Sequence, residues 1–166
     1  MPLDPVMFRA ALGRFPSGVC VVTTQDAEGH PRGFTASAFS SLSLEPPLVL
    51  VCLDQRAESH EVFRGTKSFA ISILASHQMS IAVQFATKSA EKFGGVVVGA
   101  GPETGHPVIP EAVVHLECSM HQTIAAGDHT ILVGEVSGAA VYDGEPLVFY
   151  NRMYGRFHDA NTAGVS

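Results

Sequence analysis

The sequence predicts a small antiparallel β-barrel with flanking helices, and three observations lead there. Strand-like stretches follow one another along the chain with only short helical segments between them. These segments never settle into regular βαβ alternation, which disfavours a doubly wound parallel sheet. At 166 residues the chain suits one domain, 1–166, with its core over about 8–157 and a frayed end beyond Phe157.

The elements follow in order. Asp4 before Pro5 is an N-cap with proline at the first helical position. Met7, Phe8, Ala11, Leu12 and Phe15 then keep one apolar face until Pro16 and Gly18 end the helix. Val19 to Thr24 is a β-branched strand, and Asp26 to Gly29 supplies the turn of a hairpin. Gly33 to Pro47 (GFTASAFSSLSLEPP) reads as its second strand, with Phe34, Ala36, Ala38, Leu42 and Leu44 on one face and Thr35, Ser37, Ser41 and Ser43 on the other. A face of short hydroxyls, where Lys or Glu would serve water better, suggests close contact with something polar. Phe39 interrupts that face and reads as barrel core.

Leu48 to Leu53 is apolar throughout and reads as a buried central strand, and Phe69 to Leu74 as another. Ser59 to Arg64 and His77 to Phe85 are short helices around the latter. Gly94 to Pro110, rich in glycine and proline, is expected to be a mobile loop. Val114, Leu116, Cys118 and Met120 alternate with His115, Glu117, Ser119 and His121, a half-exposed strand. Thr130 to Val141 and Leu147 to Tyr150 add two more.

Composition narrows the function. A net charge of -6 without a long Lys/Arg run argues against nucleic acid or an anionic membrane as partner. Cys20, Cys52 and Cys118 are odd in number and widely spaced, so they read as reduced thiols of a cytoplasmic protein. No stretch of about 20 apolar residues is present to span a bilayer. With 46% hydrophobic and 16% charged residues, a covered apolar surface is expected, which favours a homodimer.

Several familiar signals fail. Gly99 and Gly101 lack the third glycine of a dinucleotide fingerprint, and Gly13 to Gly18 is followed by Val19 and Cys20 where a P-loop needs Lys and Ser/Thr. His60-Glu61 lacks a second zinc-binding histidine, since Arg64 stands in its place, and no G-x-S-x-G elbow occurs. His115 and His121 read as ordinary imidazoles on an exposed strand, so no metal is expected.

The segments GFTASAFSSLSLEPPLVLVCL, FAISIL, EKF, GDHTILVGEV and PLVFYNRMYG, in this order between Phe8 and Gly155, resemble the short-chain flavin reductases. The likeness is to the reductase component of two-component flavin-dependent monooxygenases. It implies a homodimeric, antiparallel split β-barrel that uses NADH or NADPH to reduce FMN or FAD and passes reduced flavin to a separate monooxygenase. The absence of an arginine cluster marked for a 2′-phosphate favours NADH.

The residues can be read against that ligand. Thr35, Ala36, Ser37 and Ala38 suit the polar edge of an isoalloxazine, the two alanines allowing close approach to the backbone. Cys52, Leu53 and Asp54, with Ser59 and His60 at a helix start, are expected to hold the ribityl chain and phosphate. Lys88 and Lys92, the latter beside Phe93, are the candidate phosphate cations, with a solvated helix face as the competing reading. By resemblance, His129 of Gly127-Asp128-His129 positions the nicotinamide, against the blander reading of a turn histidine satisfied by Asp128. Tyr154 and Arg156 are expected to close over the nicotinamide nucleotide. A flavin carrier, or a flavoenzyme with another substrate on the same barrel, remains the rival function.

Overall fold

The computed structural model describes residues 1–161; positions 162–166 of the expected frayed end lie outside the described residues. Helix α1 (Pro5–Leu12) starts where the Asp4 carboxylate accepts from the Val6 amide at 3.0 Å, and none of its residues is buried. After β1 (Ser17–Gly18), strands β2 (Cys20–Gln25) and β3 (Pro31–Ala36) form the expected hairpin. The stretch from Gly33 to Pro47 is not one strand. It breaks at Ser37 and Ala38, and β4 (Phe39–Ser43) pairs instead with β5 (Leu48–Asp54).

Helix α2 (His60–Gly65), β6 (Ser68–Ile73) and α3 (Met79–Ala86) follow, then the short strands β7 (Gly99–Ala100) and β8 (Pro107–Val108). The long hairpin of β9 (Val114–Ala126) and β10 (His129–Val141) turns at Gly127 and Asp128, where Gly127 takes φ 63°. Strands β11 (Leu147–Tyr150) and β12 (Met153–Arg156) close the chain.

The main antiparallel sheet has the order β3-β2-β6-β9-β10-β5-β4. Its two edge strands, β3 and β4, are consecutive in sequence and joined only by Ser37 and Ala38, so the sheet curls into a barrel whose seam is that dipeptide. The Cys52 amide donates to the Ala38 carbonyl at 3.1 Å across the seam. Inward residues alternate along the strands: Val49, Val51 and Leu53 from β5, Cys20 and Val22 from β2, and Phe69 and Ile71 from β6 surround Phe63 of α2. Phe63 and Phe69 are fully buried, each stabilising the barrel by roughly 1.5–3 kcal/mol.

Strand β2 is buried on both faces, because Val19 and Val21 on the outer side pack with Ala82 and Phe85 of α3, Leu74, Ile109 and Leu147. Gly33 allows that packing: a Cβ there would lie 3.0 Å from the Phe85 ring. Phe39 packs partly buried against the barrel core, as expected, but Leu42, on the edge strand β4, and Leu44, in the turn after it, are exposed.

Two further expectations need correction. Residues 94–110 are a tied segment, with β7 paired to β8 and His106, Val108 and Ile109 buried. Glu117, read as exposed, is buried beneath it and accepts from the Glu103 amide (3.0 Å), the Thr104 amide (2.6 Å) and the Thr104 hydroxyl (2.7 Å). A buried carboxylate needs such donors, and the segment supplies them.

Candidate active site

The barrel seam opens into a cleft of about 420 Å³, within the size range of small-molecule sites. Ser37 and Ala38, exposed and outside both strands, form its bed, and neither amide donates a hydrogen bond among the described residues. The backbone of Ala36 and Leu53 also lines it, while both side chains face the barrel core. Half-buried Cys52 lines the same wall, and desolvation raises its thiol pKa.

Of the expected face of hydroxyls, only the first half reaches this cleft. Thr35 lines it, but its hydroxyl donates to the Ala82 carbonyl of α3 at 2.6 Å, and Ser41 and Ser43 lie away on β4. The break at the seam turns the rest of the stretch to the opposite edge of the sheet.

At one end of the cleft stands His129, the first residue of β10, in register with Asp54, the last of β5. The His129 Nδ1 lies 2.7 Å from Asp128 Oδ1. That contact holds the Asp128 carboxyl below its usual range, and since a carboxylate only accepts, the proton is on Nδ1 and Nε2 is left for a ligand. Gln55 pins the turn twice, its amide donating to the Asp128 carbonyl (3.0 Å) and its side chain to the His129 carbonyl (3.2 Å). Asp54 takes two side-chain hydrogen bonds from Arg56, at 2.9 and 3.2 Å, and one from its amide at 2.8 Å. Those contacts hold the Asp54 carboxyl well below the ordinary carboxylate range.

The other end is charged differently. Lys92 donates to the carbonyls of Phe85 (3.0 Å) and Gly33 (3.4 Å), and partial burial lowers its pKa. Lys88 is exposed, and among the described residues neither lysine has a carboxylate within 4.0 Å. Glu58 lines the cleft beside them. Beyond Lys92 a small recess takes in Arg32, Gly33, Ser59, Ser89 and Phe93; the buried Ser59 hydroxyl has no partner there, and Phe93 stacks edge-on against Phe85 at 4.8 Å.

Three expected site residues are not brought to the cleft. The His60 ring contacts the Thr130 hydroxyl at 2.8 Å and Glu61 at 3.2 Å, and its amide is spent on the Ala57 carbonyl, so it supports β10 from behind. Tyr154 packs on Phe149 at 5.1 Å, and Arg156 stands 3.9 Å from Glu145. Both belong to the separate sheet β1-β11-β12, because the turn at Asn151 and Arg152, both with positive φ, folds β12 straight back on β11.

Arg56, Ala57, Glu58, Phe85 and Ala86 line the cleft without having been singled out. Arg56 had a signal, an Asp two residues before it at the end of a strand, the pattern of an Asx turn. Asp26, Glu28 and His30 place ligand atoms within 4.8 Å of one another, but Asp26 already accepts from the Glu28 and His30 amides and from Arg32, which makes the group a hairpin turn.

The donor set fits a flavin nucleotide. The Ser37 and Ala38 amides, unbonded among the described residues, suit ring carbonyls, Ala38 leaves room for a flat ring, and two lysines without an ion pair, with an unpartnered hydroxyl, suit a phosphate.

Comparison with known proteins agrees. Residues 12–158 match the flavin reductase like domain. Actinorhodin polyketide dimerase of Streptomyces coelicolor is 45% identical over 156 residues, covering 93% of this chain and 87% of that protein. The reductase component of 4-nitrophenol 4-monooxygenase/4-nitrocatechol 2-monooxygenase of Rhodococcus opacus is 40% identical over 156 residues, 94% of this chain and 83% of that one. The solved structure of the NADH:FAD oxidoreductase of Streptomyces globisporus C-1027, in complex with NAD and FAD fragments, is similar with a TM-score of 0.89 at 40% identity, over 96% of this chain and 98% of that chain. With the domain match running through nearly all of the barrel described above, the chain belongs to the flavin reductase family.

Proposed function

We propose that this chain is an NAD(P)H-dependent flavin reductase that reduces FMN or FAD and supplies the reduced flavin to a partner monooxygenase. One observation carries the reading: a single cleft joins a histidine with a free Nε2, a flat bed of small residues and a pair of unpaired lysines. When bound, the flavin provides the acceptor for a hydride delivered from the nicotinamide, so the protein needs no acid, base or nucleophile.

The residues then divide the work. Ser37 and Ala38 donate to the polar edge of the ring, and Lys88, Lys92 and Ser59 hold the phosphate end. His129, locked by Asp128 and Gln55, offers Nε2 to the nicotinamide and fixes the approach of the two rings, where orientation sets the rate. The reductase component from Rhodococcus supports the oxygenase as recipient.

The assembly is a homodimer in this reading. Met7, Phe8 and Leu12 of α1, with Phe15 beyond it at 79% exposure, form an apolar face that no described residue covers. Three free thiols support a cytoplasmic location, and no helix among the described residues is long and apolar enough to cross a membrane.

The test is NADH and NADPH oxidation by the purified protein with FMN, FAD or no flavin. Many turnovers that require added flavin are expected. Flavin binding without any turnover would leave a carrier in its place. Sedimentation as a monomer would remove the dimer.

A further inference from the structure

The segment that carries the two lysines has no regular structure of its own. Between the end of α3 at Ala86 and the start of β7 at Gly99 the chain forms only turns and bends, so the place of Lys92 is set by what the segment is tied to. One turn of α3 supplies the fastening. Gln84 donates from Nε2 to the Lys92 carbonyl and to the Gly94 carbonyl, both at 2.8 Å. Carbonyls only accept, so the amide nitrogen faces them and both of its hydrogens are spent there. Between those two carbonyls, Phe93 sets its ring edge-on against Phe85 at 4.8 Å.

Lys92 is thereby held at both ends. Its carbonyl is tied to Gln84, and its ammonium donates to the Phe85 carbonyl (3.0 Å) and the Gly33 carbonyl (3.4 Å). An ammonium has three donors, so one is left for a ligand oxygen. A lysine on a loose loop loses rotamer and backbone freedom when it grips a phosphate, and a lysine fixed beforehand has already lost it. Helix α3 is in turn fastened beneath the flavin bed, where the Thr35 hydroxyl donates to the Ala82 carbonyl at 2.6 Å. Gln84 itself lines a separate groove, with Ile81, Val96 and Val97, and does not line the cleft.

We propose that Gln84 is a positioning residue for the flavin phosphate, holding the backbone of residues 92–94 on α3 so that the Lys92 ammonium stands where the phosphate arrives. This rests on the flavin reading given above. Gln84 acts through Lys92 and adds nothing to the binding of the ring. Its loss lets the segment take up conformations that aim Lys92 elsewhere, and the fraction competent to hold a phosphate falls.

The experiment is a set of equilibrium titrations by flavin fluorescence, with FMN and riboflavin, on the wild type, Gln84→Met, Lys92→Met and the double variant. Methionine keeps the length and helix propensity of glutamine while removing both donors, and Gln84 is only half-buried, so the fold is kept. Gln84→Met is expected to weaken FMN about fivefold, roughly the net worth of one hydrogen bond. Riboflavin, which has no phosphate, binds as before. The double variant binds FMN within about twofold of Lys92→Met alone, because two residues acting as one unit are not additive. Gln84→Glu, which keeps the shape of the side chain but cannot donate, weakens FMN at least as much as Gln84→Met.

Unchanged FMN affinity in Gln84→Met overturns the proposal. An equal loss for riboflavin also overturns it, because Gln84 would then support the whole cleft. A double variant about fivefold weaker than Lys92→Met, the mark of independent losses, overturns it as well. A wild type that binds neither flavin overturns the flavin cleft itself, an outcome distinct from a cleft that binds FMN and ignores residue 84.

Discussion

The two ends of the cleft are built on opposite electrostatic plans. Around His129 every charge has a partner: Asp128 holds the imidazole, Arg56 holds Asp54, and Gln55 fastens the turn to the neighbouring strand. Around Lys92 no ion pair forms: among the described residues neither lysine has a carboxylate within 4.0 Å, Lys92 is held only by two backbone carbonyls, and the buried Ser59 hydroxyl has no partner. A group that must orient a ligand gains from being fixed beforehand, since its geometry is then set before the ligand arrives. A site that captures and releases an anion gains from leaving its donors unsatisfied until the anion comes. Both plans sit on one scaffold because the first is built from the ends of β5 and β10, and the second from the segment after α3.

The sharpest way to break this comparison is His129→Ala. It is expected to lower kcat/KM for NADH by roughly a hundredfold, the scale of a lost orienting contact, while the flavin dissociation constant, titrated separately, stays the same. Equal losses in both would mean that the ends are not separate.

Lys92→Met acts at the other end. Flavin phosphates should bind roughly tenfold more weakly, in line with a lost charge-assisted hydrogen bond, and riboflavin should bind as before. A parallel loss for riboflavin would assign Lys92 to packing, through its bonds to Gly33 and Phe85.

Asp128→Asn tests the lock and should have a smaller effect. An amide can donate to Nδ1 and favour the other tautomer, so KM for NADH is expected to rise severalfold, about 1 kcal/mol, with flavin affinity constant.

The mildest probe leaves the protein unmutated. Burial pushes the Cys20 and Cys118 thiols up to about 12, so both stay protonated at pH 8 and sheltered from alkylation. Cys52, half-buried in the cleft wall, should be the one thiol labelled, faster as pH rises, and bound flavin should slow it. Mass spectrometry of the labelled peptides reads the outcome.

Much of this arrangement was legible in the residues themselves. The N-cap at Asp4, the β2–β3 hairpin and a strand from Leu48 declare themselves through local chemistry and period, although that strand lies beside the edge strand β4 and buries only alternate residues, so it is not the buried central strand its apolar run suggests. The seam did not, because alternation continues through Ser37 and Ala38 and gives no sign that Phe39 joins a different neighbour. Glu117 misled for a related reason: its place in the alternation is that of a solvent-facing residue, and only the segment folded over it from Glu103 and Thr104 reverses that.

Motif and charge single out His129 and Lys92, and both line the cleft. His60 turns to Thr130 and away from the cleft, and a short helix start does not reveal which way a side chain turns. Tyr154 and Arg156 lie outside the cleft, because their position depends on a tight turn at Asn151, whose direction the flanking residues do not encode.

The seam also makes the barrel report on its own occupancy. The amides of Ser37 and Ala38 are exposed between two edge strands, each laddered to one neighbour only. In heavy water they should exchange their hydrogens quickly, faster than the ladder-bonded amides on either side. Ligand capping those amides would remove that difference, and the slowing at that one dipeptide would count bound rings without any dye, mutation or turnover.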